Sequence, residues 1–342
     1  MERFVFIAAV TFAIIFGVVA LVGGGHLNVG RGAFNIEFDG DGFRQDPVVE
    51  TAPGRMEAQA FVGDELRLKH AAARVTITPE DRQDFLIEID NPGHAPMPEV
   101  TTADGHVIID GRLAGRIDNC LSDGGVDLRG YGDVAGADLP RINIRAPRRL
   151  VVSLGEGSTT EIGTTEALEL DFSGCGTATL ADVAGALELD VAGSGQVRAG
   201  AARSLIADVA GSGDIVAGAI TEGAEIDIAG SGTVTIANLA GPLSSDGAGS
   251  GDVIVQGGAI TTAKIDLAGS GQVNIAASVQ RLEVSILGSG GVDVAGDVGD
   301  IEADIAGSGS VTARTVTGAV TKDVLGSGDV RVSGERLPQN AP

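Results

Sequence analysis

The sequence is organised by a repeated unit, whose clearest copy reads Leu187-Glu188-Leu189-Asp190-Val191-Ala192-Gly193-Ser194-Gly195-Gln196-Val197. Its Gly-Ser-Gly element recurs along the chain, with first glycines at positions 193, 211, 230, 249, 269, 288, 307 and 326. Two weaker copies, Gly174-Cys175-Gly176 and Gly155-Glu156-Gly157, extend the series upstream at 19-residue spacing. A fixed period of about 20 residues with strand-like content predicts a solenoid.

Apolar and polar residues alternate within each unit. Leu187, Leu189 and Val191 would share one face of a strand, and a second short strand follows the Gly-Ser-Gly turn. One coil cannot bury its apolar face alone, but parallel stacking of equivalent strands about 4.8 Å apart can. The prediction is an all-β fold, a parallel β-helix of about ten coils of roughly 19 residues each. Right-handed coiling is expected, because parallel crossovers prefer that sense.

Five segments are predicted along the chain. Residues 1–22 form a transmembrane anchor, 23–57 a tether, 58–150 an irregular β-rich cap with the first coils, 151–334 the solenoid and 335–342 a polar tail. The apolar run from residue 4 to 22 would reach roughly 28 Å as a helix, close to the thickness of a bilayer core. A cleaved signal peptide is the alternative for this run. Within the cap, residues 127–133 look like a displaced copy of the repeat.

The composition restricts the choice of partners. The net charge is −24, which argues against nucleic acid, since binding phosphates requires Lys and Arg. Aromatic residues make up 3% of the chain, and there is no Trp to stack on sugar rings. Membrane contact through residues 4–22, an unidentified protein or glycan partner, and self-association by end-to-end stacking all remain open.

A column of aspartates is predicted on the outer face of the solenoid. Each stands three residues before the first glycine of a repeat, and together they are Asp171, Asp190, Asp208, Asp227, Asp246, Asp266, Asp304 and Asp323. One interpretation is structural, with each carboxylate accepting hydrogen bonds from its own Gly-Ser-Gly corner. The other is a binding row, for a partner or for Ca²⁺, which prefers clustered carboxylate oxygens. No cofactor is expected beyond such Ca²⁺.

Two cysteines, Cys120 and Cys175, are too few for a disulfide scaffold or a structural zinc site. In an oxidising compartment they can form one bridge. The alternative is that both are small buried hydrophobic residues.

The repeat resembles the GIN domain, the head domain of a family of autotransporter adhesins. The similarity rests on Gly211-Ser212-Gly213-Asp214-Ile215, Gly249-Ser250-Gly251-Asp252-Val253 and Gly326-Ser327-Gly328-Asp329-Val330. It covers roughly Phe61 to Val332. The resemblance implies β-helical coils after an N-terminal β region and supplies no catalytic residues.

The sequence therefore favours a non-catalytic, membrane-anchored protein of the bacterial cell envelope that presents a rigid acidic solenoid for binding or adhesion. The solenoid would lie in the periplasm on a single-pass inner-membrane anchor, or at the surface if the N-terminus is cleaved. The alternative is a Ca²⁺-dependent β-helix enzyme that acts on acidic polysaccharide. Its candidate catalytic bases would be Arg198, Lys264, Arg281, Arg314 and Arg331.

Overall fold

The computed structural model describes residues 51–336, which form strands almost throughout. Before the repeats lie β1 (Gly54–Phe61), β2 (Glu65–Ala71), β3 (Arg74–Glu80), β4 (Phe85–Asn91), β5 (Glu99–Ala103), β6 (His106–Asp110), β7 (Ile117–Cys120), β8 (Val126–Leu128), β9 (Gly132–Val134) and β10 (Arg141–Pro147). The repeats contribute β11 (Arg149–Glu156), β12 (Thr159–Ile162), β13 (Ala167–Gly174), β14 (Thr177–Leu180), β15 (Ala186–Gly193), β16 (Gln196–Ala199), β17 (Ser204–Gly211), β18 (Asp214–Ile220), β19 (Ala224–Gly230), β20 (Thr233–Gly249), β21 (Asp252–Val255), β22 (Gly258–Gly269), β23 (Gln272–Ile275), β24 (Ser278–Gly288), β25 (Gly291–Gly307), β26 (Ser310–Val316), β27 (Val320–Gly326), β28 (Asp329–Val332) and β29 (Glu335–Arg336). The one helical element in this range is a 3-10 turn, Gly136–Asp138. The all-β prediction is confirmed.

The described residues belong to a compact unit that spans Val49–Pro342. Between residues 51 and 336 no helix is long and apolar enough to cross a membrane. The predicted anchor at residues 4–22 lies outside the described residues, as do most of the predicted tether and of the polar tail.

Equivalent strands stack in register along two ladders. The first runs β5-β6-β2-β11-β13-β15-β17-β19-β20-β22-β24-β25-β27. The second runs β1-β4-β10-β3-β12-β14-β16-β18-β20-β21-β23-β25-β26-β28-β29. Pairing within the repeats is parallel from β11 to β28, and β29 pairs antiparallel with β28. The predicted solenoid of about ten coils is therefore confirmed, while its right-handed sense and the domain limits stay predictions.

Stacked apolar residues fill the space between the two ladders. Leu170 pairs with Leu189, which pairs with Ala207, which pairs with Ile226, and each of the four is fully buried. Burial of one Val, Leu or Ile side chain contributes about 1.5–3 kcal/mol, so the core grows with each added coil. A single coil would leave this column in water.

The N-terminal part closes the solenoid with antiparallel strands. β5 pairs antiparallel with β6 at the end of the first ladder, and β1 with β4 at the end of the second. Strands β7, β8 and β9 form a separate antiparallel sheet, which we call the small sheet. The expectation that residues 127–133 form a displaced coil is wrong, because these residues run from β8 into β9. They pack on a second core of their own, around Leu113 and Leu139.

The first glycine of each Gly-Ser-Gly element makes the corner at the end of a first-ladder strand. From Gly174 to Gly326 these glycines have φ between 110° and 140°, a region that other residues rarely adopt. A Cβ atom at Gly230 would come within 2.1 Å of the carbonyl oxygen of Gly211 in the coil before it. The repeat therefore requires glycine twice, for backbone conformation and for space.

Replacing a corner glycine tests this requirement. Gly230→Ala should lower the free energy of unfolding by about 3 kcal/mol or more, because it adds both φ strain and a clash with Gly211. The exposed neighbour Ser231, changed to Ala, should alter it by no more than about 0.5 kcal/mol. Chemical unfolding followed by circular dichroism measures both. Equal unfolding midpoints for the two variants would contradict the account.

Candidate functional site

The first ladder stacks the predicted aspartates in a single column. In order, the register joins Asp171, Asp190, Asp208, Asp227, Asp246, Asp266, Ser285, Asp304 and Asp323. Equivalent residues in neighbouring parallel strands lie about 4.8 Å apart, so the carboxyl groups are close neighbours. We call this row the aspartate column.

Two further columns flank it on the same outward surface. One side carries glutamates at positions 169, 188, 225, 283 and 302, interrupted by Ile206, Ser244, Lys264 and Thr321. The other side carries alanines from Ala192 onward, except for Leu287 and Leu325, which are 59% and 77% exposed. The three columns form a nearly flat surface that is rich in carboxylates. We call it the acidic face.

The carboxyl groups of the aspartate column interact mainly with one another. Asp171 and Asp208 are the strand neighbours of Asp190 on its two sides. At the N-terminal end, the Ser153 hydroxyl donates to Asp171 Oδ2 at 3.0 Å. Near the C-terminal end, Lys264 Nζ lies 3.3 Å from Asp266 Oδ2.

A different set of aspartates caps the backbone. Asp182, Asp214, Asp252 and Asp300 each accept a hydrogen bond from a backbone N–H in the following coil, at 2.8–3.1 Å. In the corners from Ser194 to Ser327, the serine N–H donates to the carbonyl oxygen of the corner glycine one coil before. The structural interpretation, in which the column caps its own corners, stays a prediction. The sequence could not separate the two sets, because both precede or follow the same Gly-Ser-Gly element.

Partial burial and mutual repulsion raise the pKa of several members. Burial, followed by the hydrogen bonds and charges of Asp208 and Asp171, raises the pKa of Asp190 to about 7. Burial and the charges of Asp246 and Asp208 raise the pKa of Asp227 to about 6. The pKa values of Asp246 and Asp304 are raised as well, again mainly by burial. These carboxyl groups therefore lose their protons at higher pH than an ordinary aspartate does.

The cation sites expected from the spacing are not formed by these side chains alone. Within residues 51–336, no group of three or more His, Cys, Asp or Glu side chains is arranged to hold a metal ion. Even where a glutamate lies beside the aspartate, as with Glu188 and Asp190, a coil offers two carboxyl groups, which are few for the six to eight oxygens that Ca²⁺ takes.

The structure does not gather the basic residues of the enzyme alternative. They belong to five strands, β16, β22, β24, β26 and β28, spread over both ladders. Arg281 pairs with Glu283 at 2.6 Å and with Glu302 at 3.0 Å, and Arg331 pairs with Asp329 at 2.9 Å. The three described histidines, at positions 70, 94 and 106, lie in the cap, away from the repeats.

A disulfide joins the small sheet to the solenoid. Cys120 ends β7, and Cys175 takes the place that serine holds in later Gly-Ser-Gly corners; their Sγ atoms are 2.08 Å apart. Grooves lie on both sides of this bond. One, of about 530 Å³, is lined by Ile117, Glu156 and the corners at Ser194 and Ser212. The other, of about 460 Å³, is lined by Asp123 and Ser158 among others.

Sequence reasoning did not identify these grooves. The grooves depend on where the small sheet packs against the solenoid, and the repeat pattern does not predict that position. The available clue was Gly155-Glu156-Gly157, where a charged residue interrupts a series otherwise made of serine and cysteine between glycines.

Fold and surface together define a parallel β-solenoid whose outer side repeats one acidic pattern from coil to coil. The family model described as "Putative auto-transporter adhesin, head GIN domain" matches this chain over residues 133–259 and again over residues 224–336. These matches span more than half of the chain, so the chain belongs to that family. The resemblance inferred from the Gly-Ser-Gly motifs is confirmed.

Several solved structures are similar to the chain at low identity. A "Putative lipid binding protein" from Parabacteroides distasonis has 17% identity and a TM-score of 0.41, with 83% of this chain and 96% of that chain covered. A "putative adhesin" from the same species has 10% identity, a TM-score of 0.37 and coverage of 83% and 97%. A "putative adhesin" from Bacteroides fragilis has 11% identity, a TM-score of 0.29 and coverage of 83% and 97%. The search of curated proteins gives no match.

The raised pKa values predict how stability depends on pH. Asp190 binds its proton more tightly in the folded chain, so its contribution to stability is fully present below its ordinary pKa of 3.8 and is lost as pH rises through about 7. Asp190 faces Asp171 and Asp208 on the adjacent strands and lies beside Glu188 and Ala192 on its own. The melting temperature should therefore fall between pH 5 and pH 8.

Asp190→Asn mimics the protonated form and should remove part of this dependence. At pH 8 we expect it to stabilise the protein by about 1 kcal/mol, allowing for screening by water, and at pH 5 to change little. Asp293→Asn is the matched control, because Asp293 is exposed on the second ladder with Asn274 and Thr312 as its strand neighbours. Thermal unfolding at both pH values measures the effect. Equal shifts of the melting temperature for the two variants at pH 8 would contradict the raised pKa of Asp190 in the column.

Proposed function

We propose that this protein is a non-catalytic, adhesion-type module of the bacterial cell envelope that binds a positively charged partner through its acidic face. The observation that carries the proposal is the register of the first ladder, which places an outward aspartate in every strand from β13 to β27 except β24, where Ser285 stands. Membership in a family described as an adhesin head supports the same role.

The shape of the acidic face suits an extended partner. The alanines beside the aspartate column have short side chains, so the surface there is nearly flat. The carboxyl groups recur at about 4.8 Å along the ladder, so a partner chain can lie along many coils. Crowded carboxylates repel one another, and positive groups of a partner would relieve that repulsion. Each contact is weak alone, but many equivalent contacts act together.

The ends of the solenoid are less suited to self-association. In the last coil Lys322 takes the position that Ala303 and other small or apolar residues hold in the core column. A charged residue that points inward on the terminal strand is a common device against edge-to-edge pairing. We therefore favour the side face over the end as the binding surface.

Location outside the cytoplasm completes the proposal. We propose that residues 4–22 anchor the protein in the inner membrane with the solenoid in the periplasm, or that the solenoid reaches the surface if this segment is removed. The Cys120–Cys175 bond supports an oxidising compartment, because disulfides are rare in the cytosol.

Charge-neutral variants of the acidic face test the binding role. One variant carries Asn at four positions of the aspartate column, namely Asp208, Asp227, Asp246 and Asp266. The control carries the matching amides at four exposed carboxylates elsewhere, namely Asp133, Glu161, Asp293 and Asp297. Both lose four negative charges, so they differ in where the charge is removed.

Binding to a poly-L-lysine surface, measured by interferometry between 50 and 200 mM salt, provides the comparison. The column variant should bind at least tenfold more weakly than the unmodified chain, and the control within about threefold of it, because the contacts lie on the acidic face. Equal losses would show that only net charge matters, and would overturn the proposal.

A further inference from the structure

Glu156 occupies a backbone position that glycine holds in every later coil. The register pairs Glu156 with Gly174, and the same column continues through Gly193 and Gly211. The copy expected from the sequence is therefore displaced by one residue, since Gly155 had been aligned with Gly174. Glu156 has φ of 70°, in the left-handed region. A residue other than glycine there costs about 1–3 kcal/mol, and such strain is concentrated at functional sites.

A local irregularity makes room for the side chain. Pairing between β11 and β2 is regular up to Leu154 and Leu68, then shifts so that Glu156 pairs with Ala71. The extra residue in β2 is accommodated with His70 at φ of 49°. Bulges of this kind change the direction of a side chain and are common beside binding sites. In the next coil the space is closed, because a Cβ at Gly174 would lie 2.5 Å from the carbonyl oxygen of Glu156.

The Glu156 side chain borders the 530 Å³ groove between the small sheet and the glycine corners. Ile117, Cys175, Gly193 and Ser194 also line this open groove, so most of its lining is apolar or small. A groove of this size admits one long side chain.

The carboxyl group of Glu156 lacks a hydrogen-bond donor. Its Oε2 atom is buried and, within the described residues, has no hydrogen-bond partner. Burial raises the pKa of Glu156; the charge of His70 opposes this rise and that of Asp110 adds to it. His70 Nδ1 lies 3.5 Å from Asp110 Oδ1, so the imidazole pairs with Asp110 rather than with Glu156. A buried acceptor without a donor destabilises the protein unless a ligand supplies one.

We propose that this groove binds a lysine side chain of a partner protein, with the ammonium group held by Glu156 and the aliphatic stem packed on Ile117. Long basic side chains bury the stem on apolar surface while the charged end finds polar atoms. The chain's charge of −24 favours approach of such a group. The site lies on the glycine corner, apart from the acidic face, and does not rest on the function proposed above.

Small probes test the assignment on the full, disulfide-bonded chain. In saturation-transfer NMR, Nα-acetyl-lysine methylamide should bind saturably with a dissociation constant of about 1 mM. Its Nε-acetylated analogue, which has the same stem without the charge, should bind at least tenfold more weakly. Glu156→Gln should weaken binding of the lysine probe by at least tenfold. Equal binding of the two probes, an unchanged constant for Glu156→Gln, or tighter binding of N-acetylglucosamine would overturn the proposal.

Glu156→Gly separates a binding role from a structural one. It restores the residue of the later coils and removes both the strained conformation and the unpaired carboxyl group. We expect the melting temperature to rise by about 2–4 °C while binding of the lysine probe is lost. A lower melting temperature would show that Glu156 stabilises the corner, and would overturn the assignment.

Discussion

Parallel stacking in register is the constraint on which the rest of this structure depends. Because each strand pairs with its equivalent one coil away, every residue has a near copy of itself above and below. The same rule places leucine on leucine in the core, glycine on glycine at the corners and aspartate on aspartate outside. The first two arrangements stabilise the fold, since apolar columns exclude water and glycine columns allow close approach. The stacked aspartates destabilise the fold, because their like charges repel one another.

The fold tolerates the aspartate column because the protein reduces the repulsion between its carboxylates locally. The raised pKa of Asp190, the hydrogen bond from the Ser153 hydroxyl at one end and Lys264 beside Asp266 each reduce or offset the negative charge. A column built only for solubility would not need half-buried carboxyl groups, since exposed ones keep their hydration. The arrangement is more readily explained if the face meets a partner, which fits a family described as an adhesin head.

The repeats were predictable because their determinants are local. Spacing, alternation and the corner glycines defined the coils, and the aspartate column followed from register alone. The cap was not predictable in the same way, since β2 pairs with β11 across about 80 residues of chain and the small sheet packs by its own core. Glu156 shows most clearly what could not be predicted from the sequence. Its coil is displaced by one residue because β11 pairs with β13 at an offset of 18 residues, from Arg149↔Ala167 to Glu156↔Gly174, whereas the glycines suggest 19.

The central claim is that register stacks neighbouring carboxyl groups of the first ladder closely enough, and buries them enough, to raise their pKa values. Carboxyl ¹³C NMR of the aspartates, followed from pH 3 to pH 9, tests it most directly. The account predicts that Asp190 titrates near 7 and Asp227 near 6, with curves broadened by coupling to their neighbours. Titration of both residues near the ordinary aspartate pKa of about 4 would contradict it.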